Sequence, residues 1–148
     1  MSAPQQPSLG ASVRVLVVDD QRPFRVAAAA VLRRTPGFEL VGEAATGEDA
    51  IDQAVALHPD LVLMDINMPG IGGLEATRRL TTRDGAPAVF LCSTYSRSDL
   101  PPDAADSGAA AYVSKSDLGP VLLRQLWDET GGLTLRAGRL PDAAGPPA

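Results

Sequence analysis

The chain has 148 residues, 45% of them hydrophobic, and a formal charge of −5. Its length fits one core and one domain, its composition is that of a soluble globular chain, and its acidic balance argues against a nucleic-acid footprint, which needs clustered Lys and Arg. No apolar stretch nears the ~20 residues of a bilayer span, and MSAPQQPSLGAS does not resemble a secretory signal, so a cytoplasmic location with no membrane contact is expected.

Residues 1–11 have no sustained period and read as a flexible extension. Val13 to Val18, VRVLVV, is a β-branched, nearly continuous apolar run, the pattern of a strand covered on both faces in a parallel sheet. It ends at Asp19 and Asp20. Pro23 suits a first helical turn, and Phe24, Ala27, Ala28, Val31 and Leu32 recur at helical spacing until Pro36-Gly37. A weaker strand covers Glu39 to Gly42. Thr46 to Asp49 offers a capping box for a helix carrying Ala50, Ile51, Ala54, Val55 and Leu57, which His58-Pro59 closes. His58, the only histidine, reads as a surface or capping residue.

Leu61 to Met64 is a third strand, Gly73 to Leu80 a third helix and Val89 to Cys92 a fourth strand. Cys92, the only cysteine, can form no internal disulfide and reads as inert packing. In SDLPPDAADSG, Pro101-Pro102 can occupy only a first turn and Gly108 ends what remains, so the fourth helix is short. Ala110 to Val113 is a fifth strand and Leu118 to Trp127 the last helix, with Trp127 either core or a partner-facing anchor. Residues 130–148, rich in Pro, Gly and Ala, read as a flexible tail, leaving 12–129 as the folded domain.

Five strands alternating with helical segments imply right-handed crossovers and a parallel sheet with helices on both faces. In such sheets the ligand site lies beyond the carboxyl ends of the strands. There the first strand delivers Asp19 and Asp20, the third Asp65, the fourth Ser93 and Thr94, and the fifth Lys115. Clustered carboxylates raise one another's pKa unless a cation sits between them, which makes the edge a hard-metal site. Magnesium, with its oxygen coordination and retained waters, fits best. A nearby lysine and hydroxyl supply the charge and donor that a phosphoryl group needs.

The blocks VLVVDDQRPFR, DLVLMDINMPGIGGLEATRRL, LCSTY and AAAYVSKS resemble the four signature regions of response-regulator receiver domains, over residues 13 to about 128. The resemblance implies a flavodoxin-like (βα)5 fold, a doubly wound parallel sheet with strand order 2-1-3-4-5, an order for which the chemotaxis receiver is a standard example. It implies that Asp65 is the phosphoacceptor, a carboxylate nucleophile attacking a phosphohistidine on a sensor histidine kinase. It makes Asp20 the direct Mg2+ ligand and Asp19 a ligand through water, with Asp65 and the main-chain carbonyl of Asn67 completing the shell, while Met68-Pro69 fixes the loop. Lys115 pairs with Asp65 and then with the phosphoryl oxygens, and Ser93 with Tyr112 forms the switch pair. Asn67, Thr94 and Tyr95 are the positions that tune dephosphorylation.

The similarity is to receivers of the LuxR/NarL-type class, without their DNA-binding domain. The expected output is therefore contact with a downstream protein or a second copy, with no direct nucleic-acid binding. The chain reads as a switch that catalyses its own phosphoryl transfer and autodephosphorylation, and otherwise as no enzyme. Two other readings share parts of the pattern. A pseudo-receiver would bind partners without phosphorylation, and a hydrolase of the haloacid dehalogenase type uses similar groups but places its nucleophile in a D-x-D motif at the first strand. Two departures from the family stand out: Ser116 follows Lys115 where many receivers have proline, so a cis peptide there is not assumed, and Gly72 replaces a common acid.

Overall fold

The computed structural model describes residues 12–94 and 99–131. Five strands, β1 (Val13–Val18), β2 (Phe38–Ala44), β3 (Leu61–Asp65), β4 (Ala88–Ser93) and β5 (Ala111–Ser114), form one parallel sheet in the order β2-β1-β3-β4-β5. Between them lie helices α1 (Arg22–Arg33), α2 (Gly47–Leu57) and α3 (Gly72–Thr81), and α4 (Pro120–Leu126) follows β5. The expected flavodoxin-like, doubly wound architecture is the one observed.

Alternation along the central strands divides the core in two. Val15, Val17, Leu61, Leu63, Phe90 and Cys92 point to one face, where Ala28 and Leu32 of α1 and Leu123 of α4 cover them. Leu16, Val18, Val62, Met64, Val89 and Leu91 point to the other, under Ala50 and Ala54 of α2 and Ala76 and Leu80 of α3. Each fully buried Leu, Val or Phe contributes about 1.5–3 kcal/mol. That burial holds β1 and β3 rigidly at the centre, and their carboxyl ends carry the acids.

Local signals explain the helix ends. The Thr46 hydroxyl accepts a hydrogen bond from the Asp49 amide at 3.0 Å, while the Asp49 carboxylate accepts one from Gln53, so half of the capping box forms. His58 closes α2 in the left-handed region at φ 50°. The Arg14 guanidinium donates to the carbonyls of Leu57 and His58 at 2.6 and 2.8 Å, fastening that helix end to β1. Trp127 is half-buried, its ring edge-on to Phe38 at 6.2 Å, which makes it part of the first core face.

Most element ends fall within one residue of the sequence reading; β2 and the last helix depart further, and the fourth helix is short as expected. β2 runs from Phe38 to Ala44 because β1 pairs along its whole length, with a register shift between Val15 and Leu16 that leaves Val41 unpaired as a bulge. The last helix starts at Pro120 and not Leu118, because Lys115–Asp117 forms a separate 3-10 turn and Gly119 is extended; past Leu126 it continues as one π turn, Trp127–Gly131. The short fourth helix is a single 3-10 turn, Pro102–Ala104, since Pro101 and Pro102 block helical hydrogen bonding upstream. The Thr81 hydroxyl at the end of α3 lies 3.2 Å from the carbonyl of Ser107, which ties that segment to α3. No cis peptide occurs among the described residues, and none of their helices is long and apolar enough to cross a membrane. Residues 1–11, Tyr95 and 132–148 lie outside the described residues.

Candidate functional site

Register alone brings the acids together. Val18 pairs with Met64, so Asp19 leaves β1 beside Asp65 at the end of β3; Asp65 in turn pairs with Cys92. Ser93 pairs with Ser114, and Lys115 is the next residue. One carboxylate oxygen from each of Asp19, Asp20 and Asp65 falls within 4.8 Å of the others. The Lys115 ammonium lies 2.6 Å from Asp19 Oδ2 and 3.3 Å from Asp65 Oδ1. Asp19 is fully buried and Asp65 6% exposed, while Asp20 faces solvent.

Burial is the larger reason, and the Asp19 charge the next, why the Asp65 carboxyl is pushed up to about 6; Lys115 opposes the rise. Burial alone would depress the Lys115 ammonium, but its bond to Asp19 and the charge of Asp65 outweigh it, and its pKa is raised. Cys92, directly beside Asp65 on β4, is fully buried, and burial pushes its thiol to about 12, so it stays neutral.

The Asp19 Oδ1 atom accepts from the Gln21 amide at 2.8 Å, and its main-chain carbonyl accepts from Arg25 at 2.7 Å. Beyond Asp65, Ile66 is buried in the second core face and its carbonyl accepts from the Gly73 amide at 2.9 Å. A Cβ on Gly73 would overlap the carbonyl oxygen of Asp65, so only glycine lets α3 begin there. Ser93 is buried, and the Tyr112 hydroxyl donates to its carbonyl at 3.3 Å. Thr94 and Asn67 are exposed at the rim.

A family profile described as the response regulator receiver domain matches residues 15–126. The chain belongs to the response-regulator receiver family. Over 145 residues it is 39% identical to a protein-glutamate methylesterase/protein-glutamine glutaminase of Alkalilimnicola ehrlichii, covering 90% of this chain and 37% of that protein. Over 103 residues it is 40% identical to the response regulator UvrY of Escherichia coli, covering 70% of this chain and 47% of UvrY. It thus spans less than half the length of these relatives, whose named activities are their own. Among solved structures, a LuxR-family two-component response regulator from Aurantimonas superposes with a TM-score of 0.72 at 32% identity, covering 90% of this chain and 94% of that one.

Receivers are phosphoacceptors of two-component phosphorelay signalling, and they bind Mg2+ through acidic residues. This receiver's edge has the donor set for such an ion. Lys115 engages one oxygen of Asp65, which leaves the other oxygen and the Asp20 carboxylate uncommitted among the described residues. With one ammonium among three carboxylates, the edge keeps a formal charge of two minus, which a divalent cation balances. Sequence reasoning missed Gly73, Gln21, Arg25 and Phe24 around this receiver site. The doubled glycine in MPGIGGL was a readable signal for Gly73, whereas the other three act through contacts that no local pattern records.

Proposed function

We propose that Asp65 is the residue of this receiver that takes the phosphoryl group from the phosphohistidine of a sensor histidine kinase. The observation that carries this reading is a buried, partly desolvated Asp65 flanked by two acids and met by Lys115. With its pKa near 6, the carboxylate is ionised at neutral pH yet poorly solvated, as a nucleophile should be. An Asp65 oxygen forms the new O–P bond while the P–N bond breaks and its electron pair returns to the imidazole. Lys115 lies where it can follow charge from Asp65 onto the phosphoryl oxygens. Asp20, Asp65 and the Asn67 carbonyl would hold Mg2+, with Asp19 acting through water. The ion would neutralise the charge on the phosphoryl oxygens as the Asp65 oxygen bonds to phosphorus.

The Ser93 hydroxyl then turns toward the phosphoryl group and Tyr112, already bonded to the Ser93 carbonyl, follows it. Asn67, Thr94 and Tyr95 border the path of the attacking water. Output runs through protein contact, with a downstream protein or a second copy, from a cytoplasmic receiver spanning 12–129. The acidic charge of −5 disfavours direct nucleic-acid binding. Beyond its own phosphorylation and autodephosphorylation the domain has no further catalysis.

The test is intact mass after incubation with acetyl phosphate, with and without Mg2+, for wild type and Asp65→Asn. One phosphoryl adduct that needs both Mg2+ and Asp65 supports the reading. An unmodified wild type would reassign the domain to partner binding without phosphorylation.

A further inference from the structure

The Lys115 ammonium faces the Asp19 and Asp65 carboxylates at 2.6 and 3.3 Å. The same nitrogen stands over the Phe24 ring, 4.7 Å from its centroid. A cation over a ring face at that distance is attracted by the ring's quadrupole, more strongly when water is excluded. Here the Lys115 side chain is only 15% exposed, and Phe24 is half-buried against the first core face.

The ring is itself held by the acid that the lysine binds. The Asp19 carboxylate accepts from the Gln21 amide, the Gln21 carbonyl accepts from the Phe24 amide at 3.0 Å, and Arg25 donates to the Asp19 carbonyl. Asp19 therefore shapes the first turn of α1, that turn aims Phe24, and Phe24 supports the lysine that closes the loop on Asp19 Oδ2 at 2.6 Å. A ring face is a partner without fixed hydrogen-bond directions. It lets an ammonium slide by an ångström without losing contact, which a third carboxylate or a carbonyl would resist.

Building on the reading of Asp65 as phosphoacceptor, we propose that Phe24 is a positioning residue for phosphoryl transfer, its ring face holding the Lys115 ammonium between Asp19 and Asp65. An aliphatic residue would fill the same space without attracting the charge. The lysine would then collapse onto Asp19, its shorter contact, and meet the phosphoryl oxygens less often.

The test compares wild type, Phe24→Leu and Phe24→Tyr, each also in a Lys115→Ala background. With acetyl phosphate and saturating Mg2+, Phe24→Leu should slow uptake on the order of 3- to 10-fold, the range of one partly desolvated cation–ring contact. Phe24→Tyr, which keeps the ring, should stay within about twofold of wild type, and Phe24→Leu should add nothing once Lys115 is gone. NMR supplies a readout that a packing role alone would not move: the Lys115 ε-methylene protons should be shifted upfield by the ring, and should return toward ordinary lysine values in Phe24→Leu. Uptake by Phe24→Leu equal to wild type, or an equal deficit in the Lys115→Ala background, overturns the proposal alone. A wild type that takes up no phosphoryl group overturns the phosphoacceptor reading and this proposal with it.

Discussion

Asp19 and Lys115 form the shortest ion pair among the described residues, 2.6 Å, and the aspartate in it is fully buried. A buried carboxylate keeps its charge only while a cation or enough donors stand against it. Lys115 and the Gln21 amide are those partners for Asp19.

Lys115→Ala should therefore lower stability by about 3 kcal/mol in chelator, because it leaves a buried charge behind and does not merely delete a contact. Millimolar Mg2+ should restore most of the loss, since a cation can replace the ammonium. Urea unfolding of both proteins, with and without Mg2+, measures this. Equal midpoints in chelator would show that Asp19 draws little from the pair.

The Asp65 carboxyl, raised to about 6 when folded, implies a pH dependence of definite sign. Between its ordinary value near 3.8 and 6, the folded protein binds more protons than the unfolded chain, so this residue's contribution to stability is present below about pH 4 and is lost as pH rises through 6. Above that window ionised Asp65 is a burden on the fold. Asp65→Asn should then be more stable than wild type at pH 7.5 in chelator, on the order of 2–3 kcal/mol. The gap should close toward pH 4 and shrink when Mg2+ is added to wild type. A constant difference from pH 4 to 8 would contradict the assignment.

Gly72 and Gly73 make a controlled pair. A Cβ on Gly73 would run into the Asp65 carbonyl, whereas one on Gly72 meets only the Ile66 carbonyl at 3.9 Å and is limited chiefly by its φ of 79°. Gly73→Ala should cost about 3 kcal/mol or more and weaken Mg2+ binding, because the chain after Asp65 must shift; Gly72→Ala should cost roughly 1 kcal/mol. Thermal unfolding and Mg2+ titration by intrinsic fluorescence separate the two. Similar losses at both sites would refute the close-approach account.

Tyr112→Phe removes the 3.3 Å bond from the Tyr112 hydroxyl to the Ser93 carbonyl. Stability should fall by about 0.5–1 kcal/mol, with phosphoryl uptake unchanged. Tyr112→Ala should also take up the phosphoryl group, but without the amide shifts that phosphorylation produces along β5 in the wild type. Those shifts, followed by NMR, would have to persist in Tyr112→Ala for the switch-pair reading to fail.

What could be read in advance was what repeats or ends. The run at Val13–Val18 announced a strand covered on both faces and Leu61–Met64 a third strand, and each finished in acid, so the site edge followed from periodicity and one rule of parallel sheets. The extent of β2 could not be read, because the bulge at Val41 breaks the alternation that marks a strand. Leu118 looked helical by composition, yet the 3-10 turn from Lys115 postpones the helix to Pro120. Phe24 looked like one more apolar position on α1. Its place beneath Lys115 depends on a contact between residues 91 positions apart, which only the folded register creates.

The 3-10 turn Pro102–Ala104, whose segment Thr81 ties to α3 at the Ser107 carbonyl, also bears on the thermodynamics of recognition. A multi-turn helix would reach a partner with its backbone already ordered. Here a reader that reshapes residues 99–110 would break the turn bonds of that segment and have to fix the backbone freedom it releases, at about 1–2 kcal/mol per ordered residue. Association through this face would accordingly be enthalpy-driven and opposed by entropy, and calorimetric values should respond steeply to glycine or proline substitutions in the segment. Specificity would then reside in which partner can impose order on that turn, more than in which finds a complementary surface waiting.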